Sequence, residues 1–261
     1  MKRYFRIWAA LAHNSLRTQL STKMASGGYL IGKLLRMGFF LSYLLAIFKQ
    51  LPSLKGYTVH QMVLFFMTFN IIDVAAQFFF RGLYGVKYLI EEGDFDKIIT
   101  QPAHALFRIS SMGVDFLDLF TLVPVGFITA WALARIPGGV TPGGVALYIL
   151  LVANALLIAY AFHVFIGSLS VRTHEFESAI WVYRDVMTLG RFPVTIYSDL
   201  LRGLFVTAIP IGVMVTFPAQ ALMGVLSWKG VVYALLLAAL LHLFAQRFWK
   251  TSLREYTSIS S

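Results

Sequence analysis

The sequence predicts an all-α, polytopic membrane protein: an N-terminal amphipathic elbow helix, six transmembrane helices, and a re-entrant extracellular helix pair before the last of them. The chain has 261 residues, of which 58% are hydrophobic and 13% are charged. A soluble domain carries about 25% charged residues. Several apolar runs approach the roughly 20 residues that a helix needs to cross the hydrocarbon core. The length suits one membrane domain.

The basic residues lie mostly beside the apolar runs, and the formal net charge is +10. On a soluble protein this charge would indicate a nucleic-acid partner, but flanking lysines and arginines are typical of the cytoplasmic ends of membrane spans. We therefore expect membrane lipid and no nucleic acid as a partner. Cysteine is absent, which excludes thiolate metal sites and thiol catalysis. We expect no metal and no cofactor on this chain.

Residues 1–24 are predicted to form an amphipathic elbow helix. Apolar side chains recur on one face at steps of three and four, and basic ones occupy the other. The apolar face contains Phe5, Trp8, Ala12 and Leu16, and the basic face Arg3, Arg6, His13 and Arg17. A tryptophan-bearing apolar face opposite a basic face is what a helix lying in the membrane interface needs.

The transmembrane domain is predicted over residues 25–248, with a cytoplasmic tail at 249–261. Five clear runs lie at 25–48, 60–80, 111–134, 145–170 and 231–248. Two further segments are ambiguous. Residues 174–190 carry Arg184 and Asp185, and residues 200–224 are interrupted by Pro210 and Pro218.

Charge asymmetry decides the predicted orientation. The N-terminus, residues 81–110, residues 171–174 and the C-terminus together hold 13 lysines and arginines, against 6 on the opposite side. The richer side is predicted to be cytoplasmic, with both termini inside, so the number of crossings is even. We prefer 174–190 as the fifth span and a re-entrant gate over 193–224, because irregular backbone at membrane depth must face protein or a cavity.

Polar side chains recur within the second and third spans. Asn70, Asp73 and Gln77 share one helix face, and Asp115 and Asp118 lie one turn apart. Charged groups at membrane depth usually face a protein interior or a cavity. These residues therefore form either a polar transport lining or proton relay, or interhelix ion pairs with Lys33 or Arg36. We favour the pairing interpretation.

No catalytic motif withstands inspection. Gly27, Gly32 and Lys33 have the spacing of a phosphate-binding loop, but Leu34 stands where Ser or Thr must hold magnesium. His174-Glu175 begins a zinc-protease motif that Ser178 does not complete. The chain is therefore not predicted to be an enzyme, and in particular not an ATPase.

The segment Tyr88–Pro102 is acidic and apolar together. It predicts a helix that ends at Gly93, a short second helix capped by Asp94, and a break at Pro102. Such a structured connection within the loop 81–110 suits docking to a cytoplasmic partner.

This segment, Ile-Glu-Glu-Gly-Asp-Phe-Asp-Lys-Ile-Ile-Thr-Gln-Pro at 90–102, resembles the ABC-2 type permeases, in particular a bacterial subgroup with a similar motif between its second and third spans. Glu91 departs from that motif, where a basic residue is common. A second similarity covers Leu189–Tyr197 and the pairs Ile209-Pro210 and Phe217-Pro218.

The resemblance implies the permease subunit of an ATP-binding-cassette exporter in the bacterial plasma (inner) membrane. It implies cytoplasmic ATPase subunits that hold ATP and magnesium, and a second permease subunit, identical or different. By this resemblance the residues that couple to the ATPase are Ile90, Glu91, Glu92, Gly93, Asp94, Phe95, Asp96, Gln101 and Pro102. The residues of the outer gate are Gly190, Phe192, Pro193, Tyr197, Pro210 and Pro218.

Two other functions remain as alternatives. A proton-driven secondary transporter would use Asp73, Asp115 or Asp118, but such transporters are commonly built from internal repeats, and none is visible. A membrane-embedded enzyme would need a paired catalytic constellation, which the sequence lacks.

Overall fold

The structure, a computed structural model, describes residues 2–173 and 177–257. The His174-Glu175 pair and residues 258–261 of the predicted tail lie outside them. The described ranges are mostly helical and contain no strand; one isolated bridge joins Leu54 and Tyr57. The predicted all-α membrane fold is confirmed.

Thirteen α-helices make up the described chain. In order they are α1 Lys2–Ser21, α2 Lys23–Gln50, α3 Val59–Phe80, α4 Val86–Glu91, α5 Asp94–Ile99, α6 Ala105–Ser111, α7 Phe116–Phe120, α8 Leu122–Leu133, α9 Pro142–Thr173, α10 Glu177–Met187, α11 Asp199–Thr207, α12 Phe217–Leu222 and α13 Trp228–Glu255. A π-helix, Gly212–Thr216, leads into α12. Short 3₁₀ turns at Arg81–Gly85, Thr188–Arg191 and Val194–Ile196 connect other helices.

Five helical stretches are long and apolar enough to cross a membrane. They are Met24–Gln50, Val59–Glu91, Phe116–Leu133, Pro142–Thr173 and Trp228–Glu255. A sixth candidate is a bent pair, Asp199–Thr207 with Gly212–Leu222, whose two parts meet at 78°. This geometry fits either a broken span or a re-entrant loop.

Local sequence signals explain where several helices begin. Thr58 and Gln61 form a capping box at the start of α3, so that orphan backbone N–H groups are satisfied at both positions. The Ser227 hydroxyl accepts a hydrogen bond from the Gly230 N–H at the start of α13. Asp115 accepts one from the Asp118 N–H and caps α7. Asp115 therefore precedes the third span and does not lie on it, contrary to the prediction of two acids on one helix.

The main core is formed by side chains from α2, α3, α8, α9, the π-helix, α12 and α13. The long helices α9 and α13 form the most extensive helix pair. Within it, the Asn154 side chain donates a hydrogen bond of 3.1 Å to the Ala234 carbonyl. Buried Asn154 is thus satisfied by backbone, as a polar side chain away from water requires.

A second core is formed by side chains from the Arg81–Gly85 turn, α4, α5, α6, α9 and the last turns of α13. We call this end of the bundle the basic end. Phe95 of α5 packs edge-on against Trp249 of α13, with ring centroids 6.3 Å apart. Tyr4 of α1 packs on Phe107 of α6. Within the described residues, the first turns of α1 and the last turns of α13 therefore lie at the same end of the bundle.

Within the described residues, the preferred fifth span 174–190 contains α10, followed by the 3₁₀ turn Thr188–Arg191, and it is not among the helices long enough to cross a membrane. The chain between α9 and α13 instead crosses the bundle in short pieces. Pro193 and Pro210 lie at two of the breaks, because proline lacks an N–H and restricts the residue before it.

The ends of the second and the last spans also differ from the prediction. After Phe80 the chain stays helical through Arg81–Gly85 and α4 to Glu91, so that the predicted loop 81–110 begins as an extension of the second span. The last helix continues to Glu255. Residues 249–255 are therefore not a free tail, because Trp249 and Ser252 are buried against the second core.

Candidate functional site

A buried ion-pair cluster joins the first three spans. The Lys33 ammonium of α2 lies 2.8 Å from the Asp118 carboxylate and 3.7 Å from that of Asp73. The Gln77 amide donates a 3.0 Å hydrogen bond to Asp73. Burying one charge in an apolar region is costly unless it is paired, so this arrangement explains why the three spans carry these residues. The structure contains the pairing that we favoured for Asp73 and Asp118.

Asp115 belongs to a different site. Its carboxylate pairs with Arg81, and both residues face a second cavity beside α1 that Tyr29 also lines. The five polar residues predicted as one lining are therefore divided between two places. Asn70 and Asp73 line the cavity described next, and Gln77 lies behind Asp73.

A cavity of about 210 Å³ lies between α2, α3 and the α10 region. We call it the basic cavity, because four cationic side chains from α2 and the α10 region line it, with two carboxylates. Its lining residues are Lys33, Arg36, Met37, Phe66, Phe69, Asn70, Asp73, Trp181, Arg184, Asp185, Thr188 and Arg191. Arg191 is one of the six basic residues that the charge pattern predicts on the side opposite the termini. Its guanidinium packs against Phe40 of α2 and Phe69 of α3.

Sequence reasoning missed most of this cavity. In the sequence, Arg184 and Asp185 only make a span over 174–190 ambiguous, and no pattern distinguishes Trp181 from other aromatic residues. The available signal was the pair of charges within a moderately apolar segment. These two charges do not predict that Arg184 and Asp185 line the same cavity as Arg36 of α2, because that arrangement depends on residues far apart in the sequence.

The α4–α5 segment at the basic end has the predicted two-helix form. Gly93 joins the helices with φ of +72°, a left-handed conformation that glycine adopts without steric cost. The N-terminal cap of α5 is Gly93, not Asp94 as predicted, and the Asp94 carboxylate instead accepts a 2.6 Å hydrogen bond from Lys97.

Two residues predicted to contact the ATPase are buried inside the protein itself. Ile90 and Phe95 belong to the second core, together with Ile98 and Trp249. They pack the α4–α5 segment onto the second core and cannot contact a partner in this conformation. The exposed surface of the segment is mostly polar. It contains Glu91, Glu92, Lys97, Thr100 and Gln101, together with Tyr88, Ile99 and Pro102.

Tyr256 ties the end of the last helix to α5. Its ring packs against Phe95 with centroids 5.0 Å apart. Burial, together with a hydrogen bond to Asp96, raises the pKa of Tyr256 to about 12. Asp96 is therefore held in part by the protein's own C-terminal segment.

The predicted gate residues lie around the bent pair. Gly190 packs directly against Ile211 and Val215. Phe192 contacts Phe40 of α2, with ring centroids 5.4 Å apart. The Tyr197 hydroxyl donates a 2.7 Å hydrogen bond to the Leu189 carbonyl. These contacts hold residues 189–197 against the core beside the bent pair.

Two of the gate prolines shape the backbone. Pro210 separates α11 from the π-helix, and its carbonyl accepts a hydrogen bond from Met214. Pro218 cannot donate to the carbonyl four residues earlier. The N–H of the preceding residue, Phe217, donates to the Gly212 carbonyl, five residues earlier and one residue further back than in an α-helix. Such π-turns are frequent at functional sites.

The chain can be compared with known families once this geometry is known. The family described as "ABC-2 family transporter protein" matches residues 34–260, which include both the α4–α5 segment and most of the basic cavity. No curated protein matches the chain significantly. Among the described residues, no group of histidine, aspartate or glutamate has a metal-site arrangement. The chain therefore belongs to the ABC-2 family of transporter proteins and is a multi-pass membrane permease of that family.

Proposed function

We propose that the chain is the transmembrane permease subunit of an ATP-binding-cassette exporter, driven by separate ATPase subunits that dock at the α4–α5 segment. One observation carries this proposal. The segment rests on the second core, which also contains Ala161 and Val164 of α9 and Ala245 and Trp249 of α13. A force applied to α4–α5 is therefore transmitted through packed side chains to two long helices.

The exposed part of the segment suits the docking role. Glu91 and Glu92 end α4 at the surface, and Gln101 and Pro102 follow α5. Ile90, Phe95 and Ile98 anchor this part of the segment on the second core. We propose that the ATPase contacts these exposed residues and that the buried residues hold them in a fixed position. ATP and magnesium are then held by the partner.

We further propose that the basic end faces the cytoplasm of a bacterium. From sequence, 13 basic residues lie on that side and 6 on the other. Helix α1 packs on α6, and Phe5 on α1 is 68% exposed. This exposure supports a position of α1 in the membrane interface.

The bent pair supports a gate at the opposite end. The side-chain amide of Gln220 donates to the Tyr57 hydroxyl in the loop after α2, and Gly144 at the start of α9 contacts the Ala221 carbonyl. We propose that residues 193–224 close the outer end of the translocation route. A second permease subunit, identical or different, would pair with this one, and α2 has most of its surface exposed.

Photocrosslinking tests the docking proposal. A photoreactive amino acid is introduced at Glu92 or at Gln101 in the full-length chain, and crosslinked proteins are identified by mass spectrometry from the native membrane. The control position is Lys229, near the start of α13 at the opposite end. We expect an ABC ATPase from the first two positions only. Recovery of no ATPase, or equal recovery from Lys229, would contradict the proposal.

Proton-driven transport has no observation in its favour. Asp73 and Asp118 are paired with Lys33, and Asp115 is paired with Arg81. The ion pairs account for these acids without a proton relay, and the family is that of ABC transporters.

A further inference from the structure

The basic cavity collects positive charge that the protein does not neutralise. Of its four cationic residues, Lys33 is paired with Asp73 and Asp118. In the described part of the chain, Arg36, Arg184 and Arg191 have no carboxylate within 4 Å. Asp185 also lines the cavity, so that the four cations exceed the three nearby carboxylates, Asp73, Asp118 and Asp185, by one charge.

Two of these guanidinium groups are brought together from different parts of the chain. Arg36 lies at the middle of the 28-residue helix α2, and Arg191 follows α10. Both side chains line the basic cavity, together with Asp73 and Asp185. Like charges in an apolar region repel strongly and are rare at membrane depth. Two guanidinium groups that share a cavity, with no described carboxylate within 4 Å of either, therefore present a site for an anion.

The surroundings of Arg191 support this assignment. Its guanidinium lies over the rings of Phe40 and Phe69, at 5.5 and 5.6 Å from the ring centroids. Its Nε atom is buried and has no hydrogen-bond acceptor among the described residues. The rings hold the side chain in place, while a donor remains for a ligand. An arginine fork matches carboxylate, sulfate and phosphate oxygens in pairs.

The apolar residues of the lining indicate the kind of molecule to which the anionic group is attached. Met37, Phe66, Phe69 and Trp181 also face the cavity. The cavity borders surface that is apolar and exposed, with Trp181 52% and Val182 60% exposed. A volume of about 210 Å³ accommodates a head group, and an attached apolar body would lie along α2 and α10.

We infer that the basic cavity binds the anionic head group of an amphiphilic substrate, in which a carboxylate, sulfate or phosphate is joined to an apolar body. This inference rests on the proposed permease function and names its substrate class. Arg36 and Arg191 are the residues that recognise the anion, with Arg184 beside them. Met37 and Trp181 contact the apolar part.

A fluorescent amphiphile tests the inference directly. The full-length protein is placed in nanodiscs of phosphatidylcholine, and the probe is 11-(dansylamino)undecanoic acid. Energy transfer from Trp181 to the dansyl group reports binding, and the Trp181→Phe variant gives the background. The uncharged primary amide of the same probe is the matched ligand. We expect the acid to bind roughly tenfold more tightly than the amide, as charge-assisted hydrogen bonds predict.

Substitutions then identify the residues that recognise the anion. Arg36→Gln and Arg191→Gln should each weaken binding of the acid roughly tenfold and leave the amide unchanged. Arg36→Lys should retain part of the affinity. Arg135→Gln, at the opposite end of the bundle, is the control and should change neither. If Arg191→Gln does not fold, Arg36→Gln decides, because Arg36 is exposed and its folding role is small.

Three outcomes would overturn the inference. They are equal affinity for acid and amide, an unchanged acid affinity in Arg36→Gln, and displacement of the probe by acetate as effectively as by decanoate. The last would indicate a site for small free anions. The assay contains no ATPase, so that its failure leaves the docking proposal standing. If the crosslinking experiment fails and the acid still binds tightly, ATPase docking is rejected and the anion site is retained.

Discussion

The Nζ atom of Lys33 lies 2.8 Å from a carboxylate oxygen of Asp118, and both side chains are buried. This pair joins α2 to α7, two helices that otherwise share few contacts. Asp73 of α3 lies 3.7 Å from the same ammonium. One cation therefore holds two acids, and its loss affects more than the loss of either acid.

Lys33→Met should destabilise the protein by about 3–5 kcal/mol, because it leaves two acids in an apolar region without their cation. Asp118→Asn should cost less, since Asp73 still neutralises Lys33. Thermal unfolding in detergent, followed by size-exclusion chromatography, measures the difference. A proton relay through Asp118 would show the opposite pattern, with transport abolished in Asp118→Asn and stability unchanged.

Phe95→Ala should destabilise the basic end by about 3–5 kcal/mol, the usual cost of truncating a buried phenylalanine. The ring is fully buried between Trp249 and Tyr256. The matched control is Ile99→Ala in the last turn of the same helix, where the side chain is 37% exposed. Equal thermal stability of the two variants would show that Phe95 does not support α5.

Glu92→Lys should weaken ATPase binding roughly fivefold, as expected for about 1 kcal/mol lost at an exposed charge. Glu92 is exposed, so thermal stability should not change. Asp199→Lys, an exposed acid at the start of α11, is the control and should bind normally. Copurification of the ATPase from mild detergent gives the readout. Normal binding in Glu92→Lys would place the contact elsewhere on the segment.

Gly190→Ala should impair the packing of the bent pair. A Cβ atom there would lie 2.6 Å from Ile211 Cγ2 and 3.2 Å from Val215 Cγ2. The expected cost is about 1–3 kcal/mol, typical of overpacking. Gly203→Ala in α11 meets no atom within 4 Å and should be neutral. A stable, fully active Gly190→Ala protein would show that Ile211 and Val215 shift at little cost.

The sequence was most informative where a structural property is local. The long apolar runs identified the five long crossing helices, although the second extends to Glu91 and the last to Glu255. The Gly93 turn followed from residue types alone. It was least informative between Thr173 and Trp228. There, apolar content is high, prolines are frequent, and hydropathy alone does not distinguish one broken crossing from two short helices.

The α4–α5 segment shows the same division. Its two-helix form could be predicted, because glycine, proline and charge act on neighbouring residues. The roles of Phe95 and Glu92 could not. Which of them is buried depends on Trp249, more than 150 residues later in the chain, and no periodicity in α5 records that contact.

The sequence by itself determined that this protein is a polytopic membrane protein with a basic end and a structured segment between its second and third spans. Composition and charge pattern decide those properties, because the bilayer selects residues by local hydropathy. Only the tertiary structure decided that Lys33 holds Asp118 and Asp73, and that Arg36 and Arg191 share one cavity. These relationships depend on which helix faces pack together, which is determined by long-range contacts.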